Sequence, residues 1–276
     1  MPHPSPSLPV IAFLGGGNMA RSLIGGLVAR GADPARIHVA EPVQALRDAL
    51  AEDFGVRACA EAPIAVEGAT LWVLAVKPQV MRGLCELLAS QARAHAPLVV
   101  SIAAGVTVER LREWLGGEAA VVRCMPNTPA LLGAGVTGLH AGPGVDERQR
   151  EDAEAVLSAA GATVWIDQEP LMDSVTAVSG SGPAYLFLLA EAMEAAARAE
   201  GLDGDQARTL VVHTLLGGAR MLAETGETAE ELRRRVTSPG GTTQAAVVSF
   251  QADGFEAMVA RAIHAARVRG AELAGG

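Results

Sequence analysis

The sequence predicts an α/β protein in which a mostly parallel sheet domain is followed by an all-helical one. Three observations carry that expectation. Short apolar runs alternate with helix-like stretches through the first 167 residues. A glycine-rich turn follows the first of these runs at once. Beyond Gln168 the β-like runs stop and apolar residues recur at helical spacing.

At 276 residues the chain is long enough for two domains or one large one. Half of it is hydrophobic and the mean hydropathy is +0.26, so there is ample apolar surface to bury. A formal net charge of -9 with 3% aromatic residues argues against nucleic acid, which calls for basic patches and stacking rings. It argues equally against an anionic membrane surface. Cys59, Cys85 and Cys124 are scattered and odd in number, which fits reduced core thiols in a cytosolic protein rather than a disulfide frame or a zinc site. The six histidines form no H-x-x-x-H pair, so no metal is expected. Residues 1–9 lack the basic and apolar regions of a signal peptide and read as a disordered tail. No uncharged stretch is long and unbroken enough to cross a bilayer.

The first apolar run, Val10 to Leu14, leads directly into Gly15-Gly16-Gly17-Asn18-Met19-Ala20. That is a G-x-G-x-x-A turn opening a helix, with Leu23, Ile24, Leu27 and Val28 on one face and a stop at Gly31. Strand, glycine turn and helix in this order are the dinucleotide fingerprint of a Rossmann-type sheet. The glycines let the backbone approach a pyrophosphate, and the small Ala20 lets the helix lie close to the strand.

A second strand, Ile37 to Ala40, ends at Glu41. An acid at that place hydrogen-bonds the adenosine ribose and disfavours a 2′-phosphate. Arg21 or Arg47 is near enough in sequence to receive such a phosphate, so NADPH and NADH both remain open. Ala69 to Val76 is a continuous apolar run, as expected of a parallel strand buried on both faces, and it ends in Lys77-Pro78-Gln79 at a helix start. Pro97 to Ile102 ends in Ala103-Ala104-Gly105, and Ala119 to Cys124 ends in Met125-Pro126-Asn127-Thr128-Pro129. Ligands sit beyond the carboxyl ends of such strands, and these small or polar endings outline a crevice lip. Lys77 suits contact with carbonyls, a phosphate or a ribose better than proton donation. Val136 to His140 and Thr163 to Ile166 read as a closing pair of strands, with a helix starting near Asp146 between them.

In the second half, Ser179-Gly-Ser-Gly-Pro-Ala-Tyr185 is a glycine-rich entry into a helix that runs to Gly201. A second helix carries Ala207, Leu210, Val211, Thr214, Leu215 and Met221, and its Gly217 and Gly218 would permit close helix approach. Thr228-Ala-Glu-Glu231 is a capping box for a third. Phe255, Met258, Val259, Ala262, Ile263 and Ala266 mark the last, with Met221 and Met258 expected to fill the core. Helices this rich in small and apolar residues leave surface that a monomer cannot cover, so an obligate dimer or larger oligomer is expected.

Between the third and last helices stands Arg235-Val-Thr-Ser-Pro-Gly-Gly-Thr-Thr-Gln-Ala-Ala246. Ser238 reads as an N-cap and Pro239 as a first helical residue, with Gly240 and Gly241 leaving bare N–H groups and Thr242 and Thr243 adding hydroxyls. Unpaired amides and the positive end of a helix make an anion seat; the plainer alternative is a well-capped helix with no ligand. A dinucleotide domain followed by such a seat points to a nicotinamide-dependent oxidoreductase whose substrate carries a carboxylate. No His, and no well-placed Lys or Asp, stands on the substrate side as a strong general acid or base. A hydroxy-acid dehydrogenase needs one; a substrate that brings its own proton, such as a protonated imine, does not.

Val236 to Ala246 resembles the signature of the Δ1-pyrroline-5-carboxylate reductases. So do Phe13 to Ala20, Leu74 to Gln79, Ser101 to Gly105, Arg123 to Pro129 and Thr176 to Tyr185, in order over nearly the whole chain. The resemblance implies the last step of proline synthesis, NAD(P)H-dependent reduction of the cyclic imine pyrroline-5-carboxylate to L-proline in the cytoplasm. It also implies a decamer of intertwined dimers with active sites at the dimer interface.

Carried over position by position, the resemblance implies that Gly15, Gly17, Asn18, Met19 and Ala20 hold the pyrophosphate. It implies that Ala75, Val76, Lys77 and Pro78, with Ile102, Ala103 and Ala104, line the ribose and nicotinamide. Ser238, Gly240, Gly241 and Thr242 would bind the substrate carboxylate, and Thr243 the ring nitrogen, with Ser238 and Thr243 as the catalytic candidates. Glu169 matches a position near the substrate. Ala62 departs from the family, whose members often place an Asn there against the cofactor, and Glu41 departs toward NADH. The expected division is a tail over 1–9, a dinucleotide-binding domain over 10–167 and a helical substrate-binding and dimerisation domain over 168–276. The enzyme alternative is another β-hydroxyacid or imine reductase of this architecture; the non-enzyme alternative is an NAD(P)-binding sensor.

Overall fold

The computed structural model describes residues 8–275, with side chains described through residue 273. Eight strands form one sheet in the order β3-β2-β1-β4-β5-β6-β7-β8. In chain order the elements are β1 (Ile11–Leu14), α1 (Asn18–Ala29), β2 (Ile37–Ala40), α2 (Gln44–Phe54), β3 (Arg57–Cys59) and α3 (Ala62–Ala65). They continue with β4 (Leu71–Leu74), α4 (Pro78–His95), β5 (Leu98–Ser101), α5 (Val108–Trp114) and β6 (Ala120–Met125). The sheet closes with β7 (Gly135–Ala141), α6 (Glu147–Leu157) and β8 (Gly161–Trp165). Every neighbouring pair is parallel except β6 with β7. The mostly parallel sheet expected from the alternating runs is therefore present. β3 is the strand that the sequence pattern did not reveal, because three residues at a sheet edge carry too short a pattern to read.

The buried faces of β1, β4 and β5 explain the unbroken apolar runs: Ile11, Phe13 and Val73 pack to one side of the sheet, Ala12, Leu14 and Trp72 to the other. Helix α1 turns Leu23, Ile24 and Leu27 to the first of these cores, and α4 turns Met81, Cys85 and Leu88 to the second. Gly26 shows how closely α1 approaches: a Cβ there would come within 2.1 Å of the Ala159 carbonyl oxygen. Of the expected tail, residues 1–7 lie outside the described residues, while Leu8 packs against the first core.

After the sheet come α7 (Met172–Val175), a π-helical turn over Thr176–Gly180, and α8 (Gly182–Ala199). Then follow α9 (Gly204–Glu224), α10 (Ala229–Arg235), α11 (Thr242–Ala252) and α12 (Phe255–Gly275). By packing, residues up to Ser181 and from Ala266 onward form one unit, and Gly182–Ala265 a second. Capping boxes start α9 at Asp203 and Gln206, and α10 at Thr228 and Glu231, the second as expected.

Taken by itself the second unit has little interior. Among its described residues only Ala207, Val211 and Leu232 are buried apolar side chains, while Phe187 is 70% and Leu188 67% exposed. Met221 and Met258, expected in the core, are exposed, and Gly217 and Gly218 have nothing within 4 Å of a Cβ position. The reason is that periodicity marks an apolar face without saying which molecule covers it.

Candidate functional site

The sheet order reverses between β1 and β4, whose chains leave toward β2 and β5 on opposite sides. The strand ends are stitched together at this point. The Gly15 N–H donates to the Ala40 carbonyl at 2.8 Å, and the Ala75 N–H donates to the Leu14 carbonyl at 2.8 Å. Beyond them lies a groove of about 630 Å³ lined by Gly15, Gly17, Glu41, Ala75, Val76 and Lys77, with Ala62 on its wall. Gly15 has φ +106°, and a Cβ there would lie 2.7 Å from the Ala75 carbonyl oxygen. A Cβ on Gly17 would meet nothing within 4 Å, so the face of the turn toward the groove is open.

Helix α1 begins behind that open face with Gly17 as its N-cap, no side-chain cap and no acid in its first turn. The first amide answered inside the helix is Arg21, which donates to Gly17. The N–H groups of Asn18, Met19 and Ala20 thus belong to the positive end of the helix. Asn18 is exposed, Met19 half-buried, and Ala20 buried against the sheet. Open backbone and orphan amides, with no acid in the first turn of the helix itself, fit a dinucleotide pyrophosphate.

Glu41 is buried, with its side chain folded back onto the glycine turn. One carboxylate oxygen accepts the Gly16 N–H at 2.9 Å and the other accepts the Val43 N–H at 2.9 Å. Lys77 is exposed at the N-cap of α4, with Pro78 as the first helical residue. Ile102 donates its N–H to the Leu74 carbonyl and is half-buried, and Ala103 is buried. Ala104 is exposed and borders, together with Pro78, a second cavity of about 690 Å³. Of the residues singled out from the sequence, the groove gathers Gly15, Gly17, Glu41, Ala75, Val76 and Lys77; Pro78 and Ala104 face the other cavity.

In the second unit, the Ser-Pro-Gly-Gly stretch corrects the sequence reading. Ser238 is not a helix cap. Ser238, Pro239, Gly240 and Gly241 form a turn, closed by the Gly241 N–H donating to the Ser238 carbonyl at 3.0 Å, with Gly240 at φ +74°. Proline second and a left-handed glycine third are what a type II turn requires, and that preference outweighs helix initiation. The helix α11 starts later, with Gly241 as N-cap and Thr242 and Thr243 as its first residues, all without a side-chain cap. The Gly240 N–H is taken by the Gln244 side chain at 2.6 Å. Ser238, Thr242 and Thr243 are exposed.

Glu169 opens the helical turn after β8, and its carboxylate is already engaged. It accepts from the Val108 N–H at 2.8 Å and from the Arg123 guanidinium at 3.1 Å, while Arg123 also reaches Asp173 at 3.5 Å. Arg123 is buried in the middle of β6. Sequence reasoning passed over it, although one arginine inside Val121-Val122-Arg123-Cys124 is itself the signal of a buried ion pair. Asn127 was read only as part of a crevice lip. It is buried, accepts from the Val136 N–H at 2.9 Å and donates to the Ser179 carbonyl at 3.1 Å, tying the end of β6 to the π-helical turn. Among the described residues no group of three His, Cys, Asp or Glu side chains is placed to hold a metal.

Comparison with known proteins adds two family matches. Residues 169–273 match the model described as pyrroline-5-carboxylate reductase dimerisation, and residues 10–105 the model described as NADP oxidoreductase coenzyme F420-dependent. The pyrroline-5-carboxylate reductase of Pseudomonas aeruginosa is 50% identical over 97% of this chain and 98% of its own. That of Vibrio alginolyticus is 41% identical over 95% and 97%. The solved structure of a pyrroline-5-carboxylate reductase from Coxiella burnetii superposes with a TM-score of 0.94 at 40% identity, covering 96% of this chain and 98% of that one.

Proposed function

The chain belongs to the pyrroline-5-carboxylate reductase family, and on that premise we propose which of its residues carry the reaction. It is an NAD(P)H-dependent oxidoreductase that reduces the cyclic imine 1-pyrroline-5-carboxylate to L-proline, the last step of proline biosynthesis, and it acts as a homo-oligomer. Among the described residues no helix is long and apolar enough to cross a membrane. The finer reading is a decamer of intertwined dimers in the cytoplasm with active sites where subunits meet. It assigns residues 10–167 to the dinucleotide and residues 168–276 to substrate binding and dimerisation.

The nicotinamide supplies a hydride at the carbon of the C=N bond. The protein's own part is to hold both partners. Asn18, Met19 and Ala20, with Gly15 and Gly17, receive the pyrophosphate on the helix start; Ala75, Val76, Lys77, Pro78 and Ile102 to Ala104 take the ribose and nicotinamide side. Thr242 offers its amide, and Ser238 a hydroxyl, to the substrate carboxylate, while Gly241, whose N–H closes the turn onto the Ser238 carbonyl, shapes the seat. Gly240 joins them once Gln244 swings away from its N–H. Thr243 orients the ring nitrogen. Because the iminium arrives protonated, its positive charge is neutralised as the hydride adds, and no strong base is called for. Orientation by a docked carboxylate is then the main source of rate. Glu169, committed to Arg123 and the start of α5, contributes by positioning.

The observation that carries this assignment of roles is the uncapped start of α11, with bare amides and two hydroxyls side by side. Turnover of 1-pyrroline-5-carboxylate with each reduced nicotinamide tests the activity. No proline formed with either dinucleotide would end this reading.

A further inference from the structure

We propose that the groove is built for NADH in preference to NADPH, and that Glu41 sets the preference. The inference rests on the dinucleotide reading given above. Glu41 directly follows β2, where the residue beyond the second strand of such a sheet meets the adenosine ribose. Its two carboxylate oxygens accept the N–H groups of Gly16 and Val43, each at 2.9 Å, and the residue is 7% exposed. Two amide donors fix the carboxylate and stop it from rotating out of the groove it lines. A carboxylate has about four lone-pair sites, so a ribose 2′-hydroxyl can still donate to it. A 2′-phosphate brings further negative charge against the same fixed anion.

The two arginines that the sequence offers to a 2′-phosphate, Arg47 and Arg21, are committed elsewhere. Arg47 donates one guanidinium nitrogen to the carbonyls of Glu41 and Pro42, at 2.8 and 2.7 Å. Arg21 pairs with Asp53 and lies over the Phe54 ring. The residues directly after Glu41 are Pro42 and Val43, which offer neither charge nor hydroxyl. Freeing Arg47 for a phosphate would leave two carbonyls of its own loop unanswered.

Titration calorimetry of the intact protein with NADH and with NADPH, in the absence of substrate, tests this. The dissociation constant for NADPH should exceed that for NADH by at least roughly tenfold, as like-charge contact requires. Glu41→Gln, which keeps the shape and removes the charge, should narrow the gap. Adenosine 5′-monophosphate against adenosine 2′,5′-bisphosphate on the unaltered protein gives the same comparison without a variant, and the monophosphate should bind more tightly. Equal or tighter NADPH binding, or a gap unchanged in a folded Glu41→Gln protein, overturns the preference alone. Failure of both dinucleotides to bind overturns the dinucleotide reading with it.

Discussion

The guanidinium of Arg123 donates to the Glu169 carboxylate at 3.1 Å and so joins the middle of β6 to the first turn beyond β8. The same carboxylate accepts the Val108 N–H at the start of α5, so one charge pair, its arginine buried and its carboxylate half-buried, holds three elements of the sheet unit. Removing one partner leaves the other uncompensated. Arg123→Met should lower the unfolding free energy by about 3 kcal/mol, read from denaturant midpoints at fixed protein concentration. A midpoint that does not move would show that the pair contributes nothing net.

The glycine turn allows a sharper test, because its glycines serve different ends. Gly15 sits at φ +106° against the Ala75 carbonyl, so Gly15→Ala strains the fold itself and should lower stability. Gly17 has open space before it, so Gly17→Ala should change stability by about 1 kcal/mol or less. Its dinucleotide binding should nonetheless weaken markedly, since the new methyl occupies the pyrophosphate's approach. If Gly17→Ala binds dinucleotide as the parent does, the pyrophosphate lies elsewhere.

Thr243 is assigned to the ring nitrogen and not to the dinucleotide. Thr243→Ala should therefore lower kcat while leaving the dinucleotide dissociation constant near its parent value. Steady-state kinetics with a parallel binding titration separate the two effects, and an unchanged kcat removes Thr243 from the mechanism.

The three cysteines differ in reactivity for physical reasons. Burial pushes the Cys85 thiol up to about 12 and raises that of Cys124 further, so neither forms thiolate at neutral pH in the folded chain. Cys59 is half-exposed and its thiol is raised less, by desolvation partly offset by a backbone hydrogen bond with Glu61. A disulfide reagent should label Cys59 alone, and slowly, in the native protein, and all three after unfolding. Rapid native labelling of Cys85 or Cys124 would contradict the packing described here.

Acid should expose one specific contribution in α6. Hydrogen bonds from Trp165 and Thr163 hold the Glu154 carboxyl below its ordinary value of 4.5. A depressed folded value stabilises the fold above the unfolded value, and that stabilisation fades as pH falls through the folded one. Glu154→Gln should flatten the stability profile between about pH 6 and pH 3. The effect is small because the carboxyl is partly solvated, and a profile parallel to the parent's across that range would refute it.

Most of the sheet was legible in the chain because buried parallel strands write themselves as unbroken apolar runs, as at Leu71 to Leu74 and Leu98 to Ser101. The glycine turn was legible because only a strand, Gly15 to Gly17 and a helix in that order satisfy the geometry. β3 was not, since Arg57 to Cys59 pairs only along one edge of β2 and carries no pattern of its own. The start of α11 was placed too early, because Ser238 and Pro239 suit a cap and a type II turn equally well until the closing hydrogen bond from Gly241 decides.

By itself, then, the sequence determined the fold class, the order of the elements and the family, since local pattern and motif spacing are properties of the chain. Only the tertiary structure decided what the polar groups at the site are already doing. It tied Glu41 to Gly16, Glu169 to Arg123 and the Gly240 amide to Gln244. Glu41 and Glu169 meet partners 25 and 46 residues away, a distance that no local pattern encodes. For Gln244, four residues from Gly240, the choice between capping its own turn and leaving the amide bare was settled by the turn's final geometry.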